Sequence, residues 1–395
     1  MSAGAADRTP AAADTAPRLV VFSDDFGRHP SSAQHIARCL VPRWRVDWVN
    51  TIGTRRPSLS ARDLARAAGK LRDWFGSGDA PASAATPPPT GLTVHSPIHW
   101  PGFGLQLERR ANAALLARGL REVLDPANPP VAVIATAPIP ADLAAARPDL
   151  VWLYYCVDDL SQWPGLDGPA LARLEAEFLR HVRGVIAVSE HLVARMAEFG
   201  QDAELLTHGI ELQRWAGVVR RTPPVAPVRP QALFWGVADR RLDTELCLAL
   251  AERCDLSFVG PADDPDPRVV QHPAITLEGP LPYAELSGRA ALADVLVMPY
   301  ADLPVTRAMQ PLKLKEYLAT GLPVVCSDLP ANREWKDALD LTFDPARFAQ
   351  LAEERARAPL PVEQAAARKA LANETWDAKA KLFEDFVARH TGVRP

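Results

Sequence analysis

Two residues one helical turn apart, Lys313 and Glu316, carry the clearest chemistry in this 395-residue chain. They lie in PLKLKEYLATGLPVV, running from Pro311 to Val325. The apolar run Val295–Met298 reads as a strand ending at Pro299, and an irregular loop follows it. A helix is expected over Leu312–Thr320, because proline is tolerated where the first helical N–H has no partner. Gly321-Leu322-Pro323 then stops the helix and opens a strand at Val324–Cys326. A helix start at a strand end presents free N–H groups and a positive dipole end, which favour phosphate. Lys313 in that first turn could neutralise a diphosphate leaving group. Glu316, on a neighbouring face, could accept both hydroxyls of a ribose.

A second constellation is the carboxylate pair Asp158-Asp159, directly after the apolar run Val151–Tyr155. A positioned carboxylate can take the proton of a hydroxyl as that hydroxyl attacks. Consecutive residues need not face one way, so one of the two is the expected base. Asp158 is favoured, with Asp159 as the alternative or as a cap. The polar loop Ser23–Ser32, which contains Gly27, Arg28 and His29, follows another apolar run; Ser31 or Ser32 caps the next helix. Gly236 permits close backbone approach after Phe234-Trp235, and Asp243 reads as a helix cap.

Positioning these groups requires two series of alternating strands and helices. In the first half the strands are expected at Leu19–Phe22, Val46–Val49, Leu92–His95, Val131–Ala135, Val151–Tyr155 and Val185–Val188. Helices are expected at Ser32–Leu40, Ala61–Phe75, Gln106–Leu124, Pro169–His181 and Glu190–Glu198. Pro223–Pro230, four prolines in eight residues, marks a linker. Beyond it, strands are expected at Ala232–Trp235, Leu256–Val259, Ile275–Leu277, Val295–Met298 and Val324–Cys326. The helices of this half are Asp243–Arg253, Tyr283–Ala293, Leu312–Thr320 and Ala346–Ala356. The organisation is therefore a disordered tail over 1–16, a Rossmann-like domain over 17–222 and a second over 231–372. Ligands in such sheets sit outside the carboxyl ends of the strands. Ala80–Gly91, with four prolines, reads as a flexible excursion within the first domain.

Composition narrows the classes. At 48% hydrophobic and 23% charged residues, the chain suits a soluble globular protein. A net charge of -4 offers no global field for nucleic acid, so no nucleic-acid partner is expected. The five cysteines form no CxxC pair and suit small core positions in a reducing compartment; no metal site is expected. No run is long enough for a membrane span, and no signal core opens the sequence, so a cytoplasmic location is expected. No GxGxxG follows Leu19–Phe22, which disfavours a nicotinamide dehydrogenase.

The stretch from Pro311 to Val325 resembles the donor-binding helix of GT-B glycosyltransferases, in the variant P-x-K-x-x-E-Y-x-A-x-G-x-P-V-V found in bacterial polysaccharide and cell-envelope enzymes. The resemblance covers most of Val20–Phe386. It implies an α/β GT-B fold, with two facing Rossmann-like domains and an interdomain cleft. A terminal helix opening at Asn373-Glu374-Thr375-Trp376 crosses back over 373–390 to complete the first, acceptor-binding domain. It implies that Glu316 holds the ribose and Lys313 contacts the diphosphate of a nucleotide-sugar, UDP- or GDP-linked, with no separate cofactor. Phe234–Asp243 resembles the first strand and loop of the donor domain, so Gly236 and either Arg240 or Arg241 are expected at the donor. Phe258-Val259-Gly260-Pro261 resembles the next strand end, so Gly260 is expected at the donor as well. Many retaining members carry a second Glu where this chain has Ala308, leaving Met309 and Gln310 to line the sugar pocket and the stereochemistry open. The loop carrying Gly27, Arg28 and His29 is expected to face the phosphates and the acceptor. His208, in Thr207-His208-Gly209-Ile210-Glu211, is expected at the cleft edge as a structural residue.

The expected activity is transfer of a sugar from the nucleotide-sugar to a hydroxyl acceptor, a sugar or lipid-linked sugar, in exopolysaccharide, cell-envelope or glycolipid biosynthesis. A GT-B sugar-nucleotide 2-epimerase and a non-catalytic scaffold binding a partner are the alternatives. Basic and aromatic residues over Arg55–Phe75 and His99–Arg110 suggest peripheral association with an anionic membrane, on the inner face of the cytoplasmic membrane.

Overall fold

The computed structural model describes residues 16–27, 31–51, 87–100, 102–163, 166–219 and 221–395. Arg28, His29, most of the tail 1–16, the expected helix Ala61–Phe75 and most of Ala80–Gly91 lie outside them.

The first sheet contains β1 (Arg18–Ser23), β2 (Arg45–Asn50), β3 (Leu92–His95), β4 (Ala132–Ala135), β5 (Trp152–Cys156), β6 (Gly184–Ala187) and β7 (Ala203–Leu205). They pair in the order β3-β2-β1-β4-β5-β6-β7, parallel throughout. Every residue of β4, β5 and β6 is buried, because helices cover both faces and a central parallel strand must be apolar on each.

The second sheet contains β8 (Gln231–Trp235), β10 (Asp255–Val259), β12 (Ile275–Gly279), β13 (Val295–Met298), β14 (Val324–Cys326) and β15 (Asp340–Leu341). Its order is β12-β10-β8-β13-β14-β15, again all parallel. A small parallel pair, β9 (Ala238–Asp239) and β11 (Ala262–Asp263), extends beyond the ends of β8 and β10.

Each sheet reverses its winding once. In the first, the chain leaves β1 for β2 and β3 and returns to β4 on the other side; in the second it leaves β8 for β10 and β12 and returns to β13. The crevices outside the carboxyl ends of β1/β4 and β8/β13 are the places where such sheets take ligands. The two sheets present these ends to one another. The Ser189 hydroxyl, after β6, donates to the Ala308 carbonyl at 2.8 Å, and Arg241, after β9, lies over the Trp163 ring at 4.9 Å.

The chain's last helix, Trp376–Thr391, belongs to the first core. Trp376, Ala380, Phe383, Phe386 and Val387 pack there, and Glu384 holds Arg43 at 2.8 Å and the Trp44 indole at 2.9 Å. Thr375 caps its start and Gly392, in the left-handed region at φ 75°, closes its end. Three helices differ from the sequence expectation by three residues or more, the expected Pro169–His181 running from Gly168 to Phe178. Gln106–Gly119 stops five residues early, at a glycine of low helix propensity, and Tyr283–Ala293 divides into a 3-10 turn at Tyr283–Glu285 and a helix at Leu286–Ala290.

Candidate functional site

Lys313 and Glu316 both reach the end of β8, beside the winding reversal of the second sheet. The Lys313 ammonium donates to the Tyr300 hydroxyl at 2.8 Å and lies 4.3 Å from the centre of the Phe234 ring. Gly236 makes room for it: a Cβ there would stand 2.1 Å from Lys313 Nζ, and the backbone sits at φ 132°. A Cβ on Gly260, at φ 148°, would stand 2.1 Å from the Gly236 carbonyl oxygen, so one glycine allows the other's loop.

Glu316 is buried. Tyr283 donates its hydroxyl to one carboxylate oxygen at 2.6 Å, and the Trp235 indole N–H donates to the other at 3.1 Å. Burial pushes the carboxyl above its ordinary value, against those two donors and the charge of Lys313. Each oxygen keeps an acceptor lone pair, so the carboxylate can still receive two vicinal hydroxyls. Tyr317 packs in the core and accepts from the Trp235 backbone N–H at 3.0 Å, which fixes the indole that holds Glu316.

The adjacent arginines part company. Arg240 is 75% exposed and pairs on the surface with Asp264. Arg241 is 10% exposed, clamped by both oxygens of Asp239 at 3.0 Å, and set over the rings of Trp163 and Tyr300. Of the two expected candidates, Arg241 is the one in the cleft.

The carboxylate pair also separates. Asp159 caps the turn Leu160–Gln162 by accepting from the Ser161 N–H at 3.1 Å and pairs with Arg195 at 3.2 Å. Arg195 also pairs with Glu175, which accepts from the buried Tyr154 hydroxyl at 2.6 Å. That closed network holds Asp159 in a structural post. Asp158 is half-buried and has Arg241 as its charge partner across the cleft. Burial raises its carboxyl to about 7; Arg241 opposes the rise, Asp159 adds to it and Trp163 reduces it. A cleft of about 550 Å³ opens alongside, lined by Asp159, Gln162, His191, Asp302, Pro304 and Arg307.

The remaining expected residues are placed as follows. Gly27, at φ 79°, donates its N–H to Gln34 Oε1 at 3.0 Å in a loop organised by Asp24. The Met309 side chain is packed in the second core, and the Gln310 amide nitrogen lies 3.5 Å from a Glu334 carboxylate oxygen while its Oε1 has no hydrogen-bond partner among the described residues. Ala308 is buried and uses its carbonyl on Ser189. His208 is buried, and burial with the neighbouring Lys315 charge lowers its imidazole to about 3.

Several residues at the site escaped the sequence reading. Trp235 ends a strand directly before Gly236, a position where a ligand-facing side chain could have been anticipated. His35 stacks on Trp376 at 4.5 Å and meets Tyr283 at 6.3 Å, bringing the first helix against a partner of Glu316. Lys315 had no distinguishing signal. Among the described residues, no three His, Cys, Asp or Glu side chains gather as a metal site, and no helix is long and apolar enough to cross a membrane.

The family model described as "Glycosyl transferases group 1" matches residues 244–357, the segment containing Lys313 and Glu316. A Bacillus subtilis (strain 168) protein, provisionally described as the teichuronic acid biosynthesis glycosyltransferase TuaH, is 40% identical over 60 residues. That match spans 15% of this chain and 15% of the relative. Among solved structures, sucrose-phosphate synthase from Thermosynechococcus elongatus superposes with a TM-score of 0.66 at 15% identity, over 94% of this chain and 98% of that one. Anabaena HepE in complex with UDP and glucose gives 0.63 at 13% identity, over 94% and 100%. The E. coli trehalose-6-phosphate protein bound with UDP-2-fluoro glucose gives 0.63 at 13%, over 96% and 100%. Two facing parallel sheets, a return helix and superposition along nearly the whole chain give this protein the two-domain GT-B fold, with a segment in its second half that matches the group 1 glycosyl transferases.

Proposed function

We propose that the chain is a glycosyltransferase that moves a sugar from a nucleotide-diphosphate sugar to a hydroxyl acceptor. The observation that carries the reading is the placement of Lys313 and Glu316 at the winding reversal of the second sheet, with Arg241 reaching from the same domain toward Asp158. In this reading the second domain, 231–372, binds the donor. The first domain, 17–222 completed by 373–390, binds the acceptor.

Glu316 receives the ribose hydroxyls, and the first turn of Leu312–Ala319 with Lys313 receives the diphosphate. Asp158 takes the acceptor's proton as its oxygen attacks the anomeric carbon. The bond from that carbon to the phosphate oxygen breaks, and the electron pair leaves with the diphosphate. Lys313 and Arg241 neutralise the developing charge, so the transfer is read as metal-independent. UDP or GDP is the expected base carrier; UDP occupies the HepE complex named above.

The teichuronic acid relative supports a role in bacterial polysaccharide, cell-envelope or glycolipid synthesis, with a sugar or lipid-linked sugar as acceptor. Peripheral attachment to the inner face of the cytoplasmic membrane is part of this proposal. Exposed Ile98, Trp100, Leu105 and Leu107 support it, whereas Arg109 does not, being tied to Asp142 and Glu177.

A thermal-shift panel of UDP-, GDP- and ADP-sugars tests the donor assignment, because a ligand that binds only the native state stabilises it. At 100 times Kd the gain is about 2.7 kcal/mol. One nucleotide series should raise the melting temperature, and Lys313→Ala and Glu316→Ala should abolish the rise. No response to any nucleotide would refute the assignment.

A further inference from the structure

Behind the face that carries Lys313 lies a buried polar cluster that the proposed chemistry does not use. Lys315, two residues on and therefore about 200° around the helix, is only 2% exposed. Its ammonium donates to the Thr207 hydroxyl at 3.1 Å, to the His208 carbonyl and to the Glu374 carboxylate. Lys379 of the terminal helix donates to the same Thr207 hydroxyl at 3.0 Å and pairs with the same Glu374 oxygen at 2.6 Å.

These partners belong to the two strands of chain that pass between the domains. The outgoing one, at Ile210, pairs with the returning one, at Thr375: the Ile210 N–H donates to the Glu374 carbonyl at 2.8 Å, and the Trp376 N–H to the Ile210 carbonyl at 3.3 Å. They approach so closely that a Cβ on Gly209 would stand 2.7 Å from the Trp376 indole. Lys315 thus joins the helix bearing Lys313 and Glu316 to both crossovers at their meeting point.

We propose that Lys315 is a positioning residue: its charged bridge to Glu374, Thr207 and the His208 carbonyl holds the Leu312–Ala319 helix in place against the domain junction, and so sets the affinity of Lys313 and Glu316 for the donor nucleotide. The role rests on the donor reading above.

The groups facing the ammonium are Glu374, Lys379, Glu334 and His208. Burial, with the Lys379 charge, lowers Lys315 to about 8, against the pull of Glu374 and Glu334. A cavity of about 390 Å³, bounded by Thr207, Lys315, Glu334, Trp335, Asn373 and Glu374 among others, gives solvent a route to the site. Loss of the proton above pH 8 removes the charge-assisted bridge. From pH 8 up to the ordinary lysine value of 10.5, the unfolded chain holds the proton that the folded one has lost, so this group's contribution to global stability rises with pH. Donor affinity and fold stability therefore respond to this lysine with opposite signs.

The test is calorimetric titration of the full chain with UDP and with GDP between pH 7.5 and 9.5, above the second phosphate ionisation near about pH 6. In the unsubstituted protein, Kd for the nucleotide that binds should weaken about five-fold across the window, the low end of coupling between sites. Lys315→Arg, charged throughout, should remove that dependence. Lys315→Met, with its fold checked by circular dichroism, should bind weakly at every pH. Affinity independent of pH in the unsubstituted chain, or wild-type affinity in a folded Lys315→Met, overturns this role alone. Should the Met variant not fold, the Arg comparison still decides. Binding of neither nucleotide by the unsubstituted chain overturns the donor reading and this role with it.

Discussion

Asp158→Asn is the substitution in which catalysis and stability should move in opposite directions. Raising a carboxyl from 3.8 to about 7 corresponds to about 4 kcal/mol against its charge. Because the group opens on the cleft, about 1–2 kcal/mol is expected to appear as stability. Between pH 4 and 7 the folded chain retains a proton that the unfolded chain has released, so stability falls as pH rises through that window. At pH 8 the wild-type protein carries the whole cost, and the isosteric, neutral Asn carries none of it. The variant should therefore melt about 2–4 °C higher at pH 8, and the gain should vanish near pH 4. Turnover should fall by about 10²–10⁴, the contribution of a positioned base, while nucleotide affinity is kept. In the wild-type protein, kcat/KM should rise with pH through about 7. Melting curves at the two pH values and a transfer assay on the nucleotide-sugar found by thermal shift supply the readouts. Turnover within ten-fold of wild type, or no gain in melting temperature at pH 8, would refute the assignment of the base.

Two further outcomes follow from the same geometry. Gly236→Ala places a Cβ 2.1 Å from the Lys313 ammonium in a backbone conformation that L side chains rarely adopt; calorimetry should show nucleotide affinity falling about ten-fold, and thermal unfolding a loss of about 1–3 kcal/mol. Arg241→Gln removes the cation that opposes the rise of Asp158, so the activity midpoint should shift up by about one pH unit and nucleotide binding should weaken; Arg240→Gln, altering only an exposed pair with Asp264, should leave both unchanged in a pH–rate series.

The central strands were legible because nothing else accounts for wholly apolar runs of that length: Val295–Met298 and Val324–Cys326 match the structure to the residue. The short edge strands were not. In β7, Glu204 and Leu205 are exposed, and β15 has two half-buried residues, so neither carries an apolar signal. At the site, Lys313, Glu316 and Asp158 could be picked out by their positions at a helix start and a strand end. Arg240 and Arg241 could not be separated, since only the turn after β9 decides which enters the cleft. His35 and Lys315 act through partners distant in sequence, as when Lys315 meets His208 and Glu374. The burial of Met309 and the turn of the Gln310 amide toward Glu334 could not be read from a loop without periodicity.

The return helix alters the order in which the two halves can mature during synthesis. The second sheet is assembled from one uninterrupted stretch, β8 to β15, and all its strands are available once that stretch has left the ribosome. The first sheet is translated earlier but lacks Trp376, Phe383 and Phe386 until the return helix Trp376–Thr391 has been made. At about 5–20 residues per second, its unfinished apolar face stands open for many seconds while the later-made domain can already close. The half that begins first is completed after the second, and its exposed surface in that interval is where a nascent-chain chaperone would find its target.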